Sequence, residues 1–489
     1  MSSRNTAFTV HPALGGLDIS SDPTVLDPGF LTVADNIEYL EGGQRKKRLG
    51  TQIYSTSTGN TNPSYLVTSS TPVRAVADFW RYGASLTPTQ NLLAVAGQSI
   101  YKSTGNGIWT AVTTTSSFGA LGNTQTGITL AGDYAVISDE TATPISYDQT
   151  ALAGPTTGSA WPRFTASVYH LDRLFMWGVS TSPSKVFYSG AGNIFDSTGS
   201  DSGNFRVAEG DGDRVIAGSR PFYASLYFFK GPQFGSIWQL SGNTSTDFAM
   251  VQVGYGAPVT NPRVVITTPT DIFWLSQYGV HSLQTTVKFG NVEEAFLSLP
   301  IQKLWRENLI RRDKLEQAWA FWHPQRSVVG WGLFAAGETK QRWILMYNYA
   351  LSDPKPGGRK YWAIWKITDF GLSSGTTLLI PPTWDTIAGR SRTGQPAPML
   401  GADNGTVYVN DWDALTDAGT AYAAVCRTPV ITRFPIQGGA VPETQEKGFT
   451  GVVTYFNPKG NYSADMTVWV DRRVLSTSIS LVGGGATLT

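Results

Sequence analysis

The feature that most constrains this chain is a rhythm of short apolar strands cut by Gly, Asn, Asp, Ser or Pro turns, running from residue 51 to about residue 425. Residues 73–80 and 92–96 read as strands. A Gly97-Gln98 turn leads to residues 99–102, and Thr104-Gly105-Asn106-Gly107 leads to residues 108–112. Short turns of this composition reverse antiparallel strands, so the unit is a meander. Further units occupy residues 127–147, 167–189, 215–240, 264–283, 317–367 and 377–409, the last with Asp403-Asn404-Gly405 as a hairpin turn. A small sheet cannot bury both of its faces alone, and meanders returning every ~40–55 residues stack on one another as the blades of a propeller. The expected fold is therefore all-β, a β-propeller of six to eight blades of antiparallel meanders. The copies are too divergent to be WD40 or kelch repeats.

Three segments fall outside the rhythm. Ser298-Leu299-Pro300 followed by Ile301, Leu304, Trp305 and Leu309 has helical spacing, which predicts one short helix near 298–310, with Ser298 as its cap and Pro300 in its first turn. Residues 426–489 read as a small C-terminal β unit, with strands at 428–434, 448–456 and 466–471 and a glycine-rich end at 481–486. Residues 1–50 form neither strand rhythm nor helix. They read as an extended N-terminal arm for docking to subunits or partners, ahead of a propeller at 51–425.

Composition narrows the function classes. Only 15% of the 489 residues are charged, against 41% hydrophobic and 12% aromatic, with 52 glycines. Such a chain suits dense turns and large buried interfaces. The 37 basic residues nearly cancel the 36 acidic ones, which argues against a general binder of nucleic acid or anionic membranes, since those need a cationic field. Cys426 is the sole cysteine, so no intramolecular disulfide can form. No apolar run approaches the ~18–20 residues of a membrane-spanning helix, and the first residues lack the layout of a signal peptide.

The chemistry-bearing residues are sparse. His11, His170, His281 and His323 stand in no metal-binding spacing, and a lone strand histidine is usually a hydrogen-bonded structural residue. No nucleophile elbow or phosphate loop occurs. Glu209-Gly210-Asp211-Gly212-Asp213 has the look of a calcium loop without its later glutamate, and an acidic hairpin turn is the plainer reading. Asp411-Trp412-Asp413 is read the same way. Residues 103–109 resemble an Asp-box turn of sialidase propellers but lack its aspartate and do not recur. The tryptophans at 305, 319, 322, 331, 343, 362 and 365 fit blade packing better than a sugar platform. The expectation is a protein without catalytic, metal or cofactor sites.

One cluster remains. Arg45-Lys46-Lys47-Arg48 puts four cations in a row at the end of the arm. In a nearly neutral chain this reads as a local docking site for an acidic partner.

The arm also carries a resemblance. Its pattern is Gly15-Gly16-Leu17-Asp18, Asp22-Pro23, Leu26, Pro28-Gly29, Asn36 and Gly43-Gln44-Arg45-Lys46-Lys47-Arg48-Leu49-Gly50. It is followed by His170-Leu171-Asp172-Arg173-Leu174 with Phe187-Tyr188-Ser189, then by Leu226-Tyr227-Phe228-Phe229-Lys230 with Ser236-Ile237-Trp238-Gln239-Leu240-Ser241-Gly242. Gly256-Ala257-Pro258, Ile272-Phe273-Trp274-Leu275-Ser276 and Tyr278-Gly279-Val280 complete it. In order and spacing this resembles the tail nozzle or tail-hub proteins of short-tailed double-stranded DNA bacteriophages, over residues 15–310. The resemblance implies a virion protein of the tail, assembled in the host cytoplasm as a homo-oligomeric ring, a hexamer. The ring would lie below the portal and adaptor, with tail fibres, spikes or a needle as further partners. Double-stranded DNA would pass through it without stable binding. The alternative is a propeller-type receptor- or glycan-binding tail protein.

Overall fold

In the computed structural model, the described residues are 15–41, 44–54, 65–68, 70–81, 88–104, 108–112, 126–139, 141–154, 161–283, 297–353, 358–378, 396–410, 414–429, 435–436, 439–440, 462–470 and 473–481. The strand expected at 448–456, the turn at 411–413, His11 and the glycine-rich end from residue 482 lie outside them. The chain divides into two compact units, Val10–Val430 and a second made of Ile431–Thr489 with Met1–Thr9.

The first unit is a seven-bladed β-propeller, within the six to eight blades expected. Blade 1 is Val73–Arg81, Thr89–Ala96, Ser99–Ser103 and Thr110–Ala111. Blade 2 is Thr126–Ala131, Tyr134–Asp139, Ile145–Tyr147 and Leu152–Ala153. Blade 3 is Ala166–His170, Arg173–Trp177, Lys185–Tyr188 and Gly203–Arg206. Blade 4 is Arg214–Gly218, Leu226–Gly231, Ile237–Ser241 and Ala249–Gly254. Blade 5 has three described strands, Val265–Thr267, Ile272–Leu275 and Val280–Ser282. Blade 6 begins Trp319–His323, Val328–Leu333, Trp343–Asn348 and Tyr361–Lys366, and blade 7 begins Leu372–Leu378, Ala397–Ala402 and Val407–Asn410.

First strands of successive blades touch around the circle. Blade 1 meets blade 2, 2 meets 3, 3 meets 4, 6 meets 7, and 7 returns to 1. Blade 4 reaches blade 5 through the 3-10 turn Pro262–Val264, and blade 5 adjoins blade 6. The apolar core is divided accordingly. Separate clusters fill the gaps between blades 7 and 1, 1 and 2, 2 and 3, and 3 and 4, and one large cluster spans blades 4 to 7. Because each sheet is covered on both sides, its inner strands are apolar at most positions, such as Leu226–Gly231 and Arg173–Trp177, which are buried throughout, including their single charged residues Lys230 and Arg173. Indole N–H groups tie neighbouring elements together. Trp177 donates to the carbonyl of Ile216 at 2.9 Å, Trp331 to that of Val264 at 3.1 Å, and Trp365 to that of Ile37 at 3.1 Å. Trp305, Trp319, Trp331, Trp362 and Trp365 are buried, so these aromatics belong to the packing.

The helical insertion is a 3-10 turn at Leu299–Ile301 followed by a single α-turn, Lys303–Arg306. Pro300 sits in its first turn as expected, but Ser298 does not cap it. Its Oγ instead accepts the Val280 N–H at 3.0 Å, because Ser298 is fully buried against blade 5.

The arm requires a correction. Residues 15–54 do not stand apart from the blades. Thr51–Ile53 is the fourth, outer strand of blade 7, antiparallel to Val407–Asn410. Val33–Asp35 lies against the outer strand of blade 6 and also pairs with Val425–Arg427. The N-terminal segment therefore closes the circle. Its turns hide this in the sequence, since each strand it lends is only three residues long. In the second unit, Tyr462–Val470 and Arg473–Leu481 form an antiparallel hairpin, with a short pair at Pro435–Ile436 and Gly439–Ala440.

Candidate functional site

The basic run splits into two different environments. Arg45–Lys47 is a short strand paired with Ile37–Tyr39, in the register Ile37 to Lys47, Glu38 to Lys46 and Tyr39 to Arg45. Arg45 and Lys46 are half-buried and Lys47 is exposed. Arg45 hydrogen-bonds the thiol of Cys426. The Lys47 ammonium donates to the carbonyl of Leu415 at 3.3 Å and lies 4.1 Å over the ring of Tyr422. Partial burial, and then the neighbouring Arg48 charge, push its pKa down.

Arg48 is not a surface cation at all; its exposure is 0%. Its Nε donates to Asn36 Oδ1 at 2.9 Å. Nη1 donates to the Leu49 carbonyl and to Asp417 Oδ1, both at 2.9 Å, and Nη2 donates to Asp417 Oδ2 and to the Lys366 carbonyl at 3.1 Å. All five guanidinium N–H groups are thus used, which is the condition for burying such a charge at tolerable cost. The ring of Tyr422 stacks 3.8 Å from the guanidinium carbon, and its hydroxyl donates to the Arg48 carbonyl. The expectation that all four residues form a docking site is corrected here. Arg48 holds the fold, and Arg45, Lys46 and Lys47 remain at the surface beside it.

Around Arg48 the resembling positions of the arm acquire individual tasks. Asn36 sits at φ +54°, a left-handed position that asparagine tolerates. Its side chain donates to the Ala423 carbonyl at 2.7 Å and accepts the Lys366 N–H at 2.7 Å. Gly16 has φ +83°, and a Cβ there would collide with the Lys360 carbonyl; a Cβ on Gly50 would collide with that of Thr416. This clasp ties the outer strands of blades 6 and 7 together. Asp417, Tyr422 and Lys366 could not be foreseen as its members. They lie more than three hundred residues from Arg48, and no local pattern marks a long-range partner.

The other sequence-flagged groups resolve into structure. Lys230, fully buried, sends its ammonium into the acidic turn: it donates to the carbonyls of Val207 and Ala208 at 2.8 and 2.9 Å and to both oxygens of Asp211. The lysine cation thus ties the acidic turn to blade 4. Asp213 accepts the backbone N–H groups of Gln233, Phe234 and Gly235 at 2.8–2.9 Å and so fixes that loop. His281 and His323 are buried, and burial pushes each imidazole down to about 3. His281 Nε2 lies 2.7 Å from Ser276 Oγ in the core of blade 5. No group of three or more metal-ligating side chains occurs among the described residues.

No protein-family model matches the chain, and no curated protein matches it. Solved structures do. It is similar to the WD40 β-propeller domain of Doa1 at 9% identity and a TM-score of 0.40, over 75% of this chain and 98% of that one. It is similar to YCF48 from Cyanidioschyzon merolae at 8% identity and a TM-score of 0.37, over 71% and 98%. A quinonprotein alcohol dehydrogenase-like protein from Bacteroides thetaiotaomicron aligns at 10% identity and a TM-score of 0.36, over 59% of this chain and 66% of that one. These scores bear no functional argument; the propeller stands on its sheets.

Proposed function

We propose that this chain is a structural subunit of a bacteriophage tail, a nozzle or hub protein that assembles as a hexameric ring beneath the portal and adaptor and serves as a conduit for genome ejection. The observation that carries this reading is the coincidence between the resembling motif and the clasp. Gly16, Asn36, Arg48 and Gly50 each meet a steric or hydrogen-bonding demand of the closure. These roles in the closure support reading the motif as a folding signature. A low charge content, 15% of the residues, suits the buried interfaces of a permanent ring. The same reading makes the adaptor and the fibres, spikes or needle its neighbours, the virion tail its location and the host cytoplasm its place of assembly.

Light scattering and negative-stain imaging of the purified chain, alone and with its tail partners, test the reading. Rings are expected in at least one condition, with the protein on the tail axis of particles. A protein monomeric in both conditions and missing from that axis would sink it. One observation favours the receptor- or glycan-binding alternative: Phe234, 57% exposed on the loop fixed by Asp213, accepts the N–H of Gly256 at its carbonyl, and Tyr255, 61% exposed, precedes that glycine. A glycan-dependent shift in the fluorescence of the chain, lost in Phe234→Ala, would favour it.

A further inference from the structure

The sheets do not present equal outer edges. Among the described residues, blades 1 and 2 end on two-residue strands, and blade 3 ends on Gly203–Arg206, whose Arg206 pairs with Glu209. The last described strand of blade 5 is Val280–Ser282, whose residues are buried. Blade 7 is overlaid by Thr51–Ile53 and then Thr416–Asp417. Two strands remain as the last of their sheets among the described residues, with exposed apolar surface: Ala249–Gly254 on blade 4, which carries no charge, and Val425–Arg427 beyond blade 6, whose one charge is Arg427. In the first, Val251 is 55% exposed, and Tyr255 follows it. Around the second, Ala423, Ala424, Val425, Cys426 and Arg427 are all exposed.

An open, uncharged strand edge is a template for another strand, and monomeric proteins blunt such edges with charge, proline or shortness. The six-residue Ala249–Gly254 edge has none of these devices, and the 423–427 edge carries a charge only at Arg427. Their surroundings are also complementary. Residues 241–262 contain one charged side chain, Asp247, and no cation. The other edge is flanked by Arg45, which touches Cys426, by Lys46 and Lys47 on the adjoining strand, and by Arg427 itself. Two unlike edges on one subunit join copies head to tail, and such a series closes into a ring when the rotation from copy to copy closes.

We propose that the Ala249–Gly254 edge of one copy adds to the 423–427 edge of the next, so that copies of this chain are joined by continuous inter-subunit sheets. The number of copies in the closed ring rests on the reading given above; the strand pairing does not.

The test uses the full chain and two single variants, Val251→Lys and Val425→Lys, each at an exposed position so that thermal melts should match the wild type. Sedimentation over a concentration series should show the wild type above monomer mass and each variant alone as a monomer. An equimolar mixture of the two variants should give a 1:1 dimer and nothing larger, because each retains the edge the other has lost. Self-association of either variant at wild-type strength, no dimer in the mixture, or a wild type monomeric throughout would overturn the proposal. A ring that survives both substitutions would overturn the edge pairing and leave the nozzle reading intact. Pairing as described in a protein absent from the tail axis would do the reverse.

Discussion

At the scale of single residues, the buried ion pair of Arg48 with Asp417 and the two buried imidazoles make the sharpest predictions. Removing one partner of a buried, fully bonded pair leaves the other charge stranded, at a cost of about 3–5 kcal/mol. Arg48→Ala should therefore lower the urea midpoint of unfolding by a corresponding amount, and Arg48→Lys should not rescue it, since an ammonium cannot replace the planar fork. A loss under about 1 kcal/mol would mean that the residue behaves as an ordinary surface cation. His281 and His323 have folded pKa values of about 3, against about 6.5 in the unfolded chain. Between these values the unfolded state binds more protons. Their contribution is thus present above pH ~6.5 and is lost as the pH falls toward ~3, by up to about 1.4 kcal/mol per unit for each histidine. The melting temperature should drop from pH 7 to pH 5, and the double variant His281→Gln, His323→Gln should flatten that dependence. Equal slopes in the two proteins would rule it out.

Among the elements, the N-terminal segment matters most. A propeller is a circle of sheets, and its circle is usually weakest where the chain's two ends meet. Here Thr51–Ile53 fills the outer place in blade 7 while residues 73–81 begin blade 1, so one stretch of chain bridges the seam. Arg263 reinforces the same region: its guanidinium donates to the carbonyls of Arg74, Gln317 and Ser373 at 3.0–3.2 Å, at the start of blades 1, 6 and 7. A chain lacking residues 1–54 should accordingly fail to fold as a propeller, seen as loss of the cooperative melt and rapid proteolysis. A shortened chain that melts like the full one would restore the arm to a purely external role.

For the whole molecule, charge bears on the proposed ring and on what it could let pass. Gripping duplex DNA takes lysine and arginine against phosphate, with affinity falling steeply as salt rises. Basic and acidic residues are balanced at 37 and 36, Arg48 is sequestered, and only Arg45, Lys46 and Lys47 of the basic run face outward. Anisotropy titration of the assembled protein with linear duplex should show negligible binding near physiological salt. Sub-micromolar binding that survives ~200 mM salt would replace the conduit with a clamp.

The blade fold was legible in the sequence because each blade is local: its strands are neighbours in the chain, and two-residue turns such as Leu171-Asp172 and Gly97-Gln98 announce each reversal. Most of the tryptophans were legible as packing for the same reason, since Trp319, Trp331, Trp362 and Trp365 lie buried in blade strands. The closure was not. Arg48 and Asp417 are 369 residues apart, and a run of four cations looks the same whether its last member points to water or into a core. What turned Arg48 inward was the return of residues 414–422 beside the arm, which supplied Asp417 and Tyr422 where the seam needed them. Local sequence set the blades, since their hydrogen bonds and turns are short-range; only the tertiary fold could decide the seam, since its partners come from the two ends of the propeller and meet when the circle is complete.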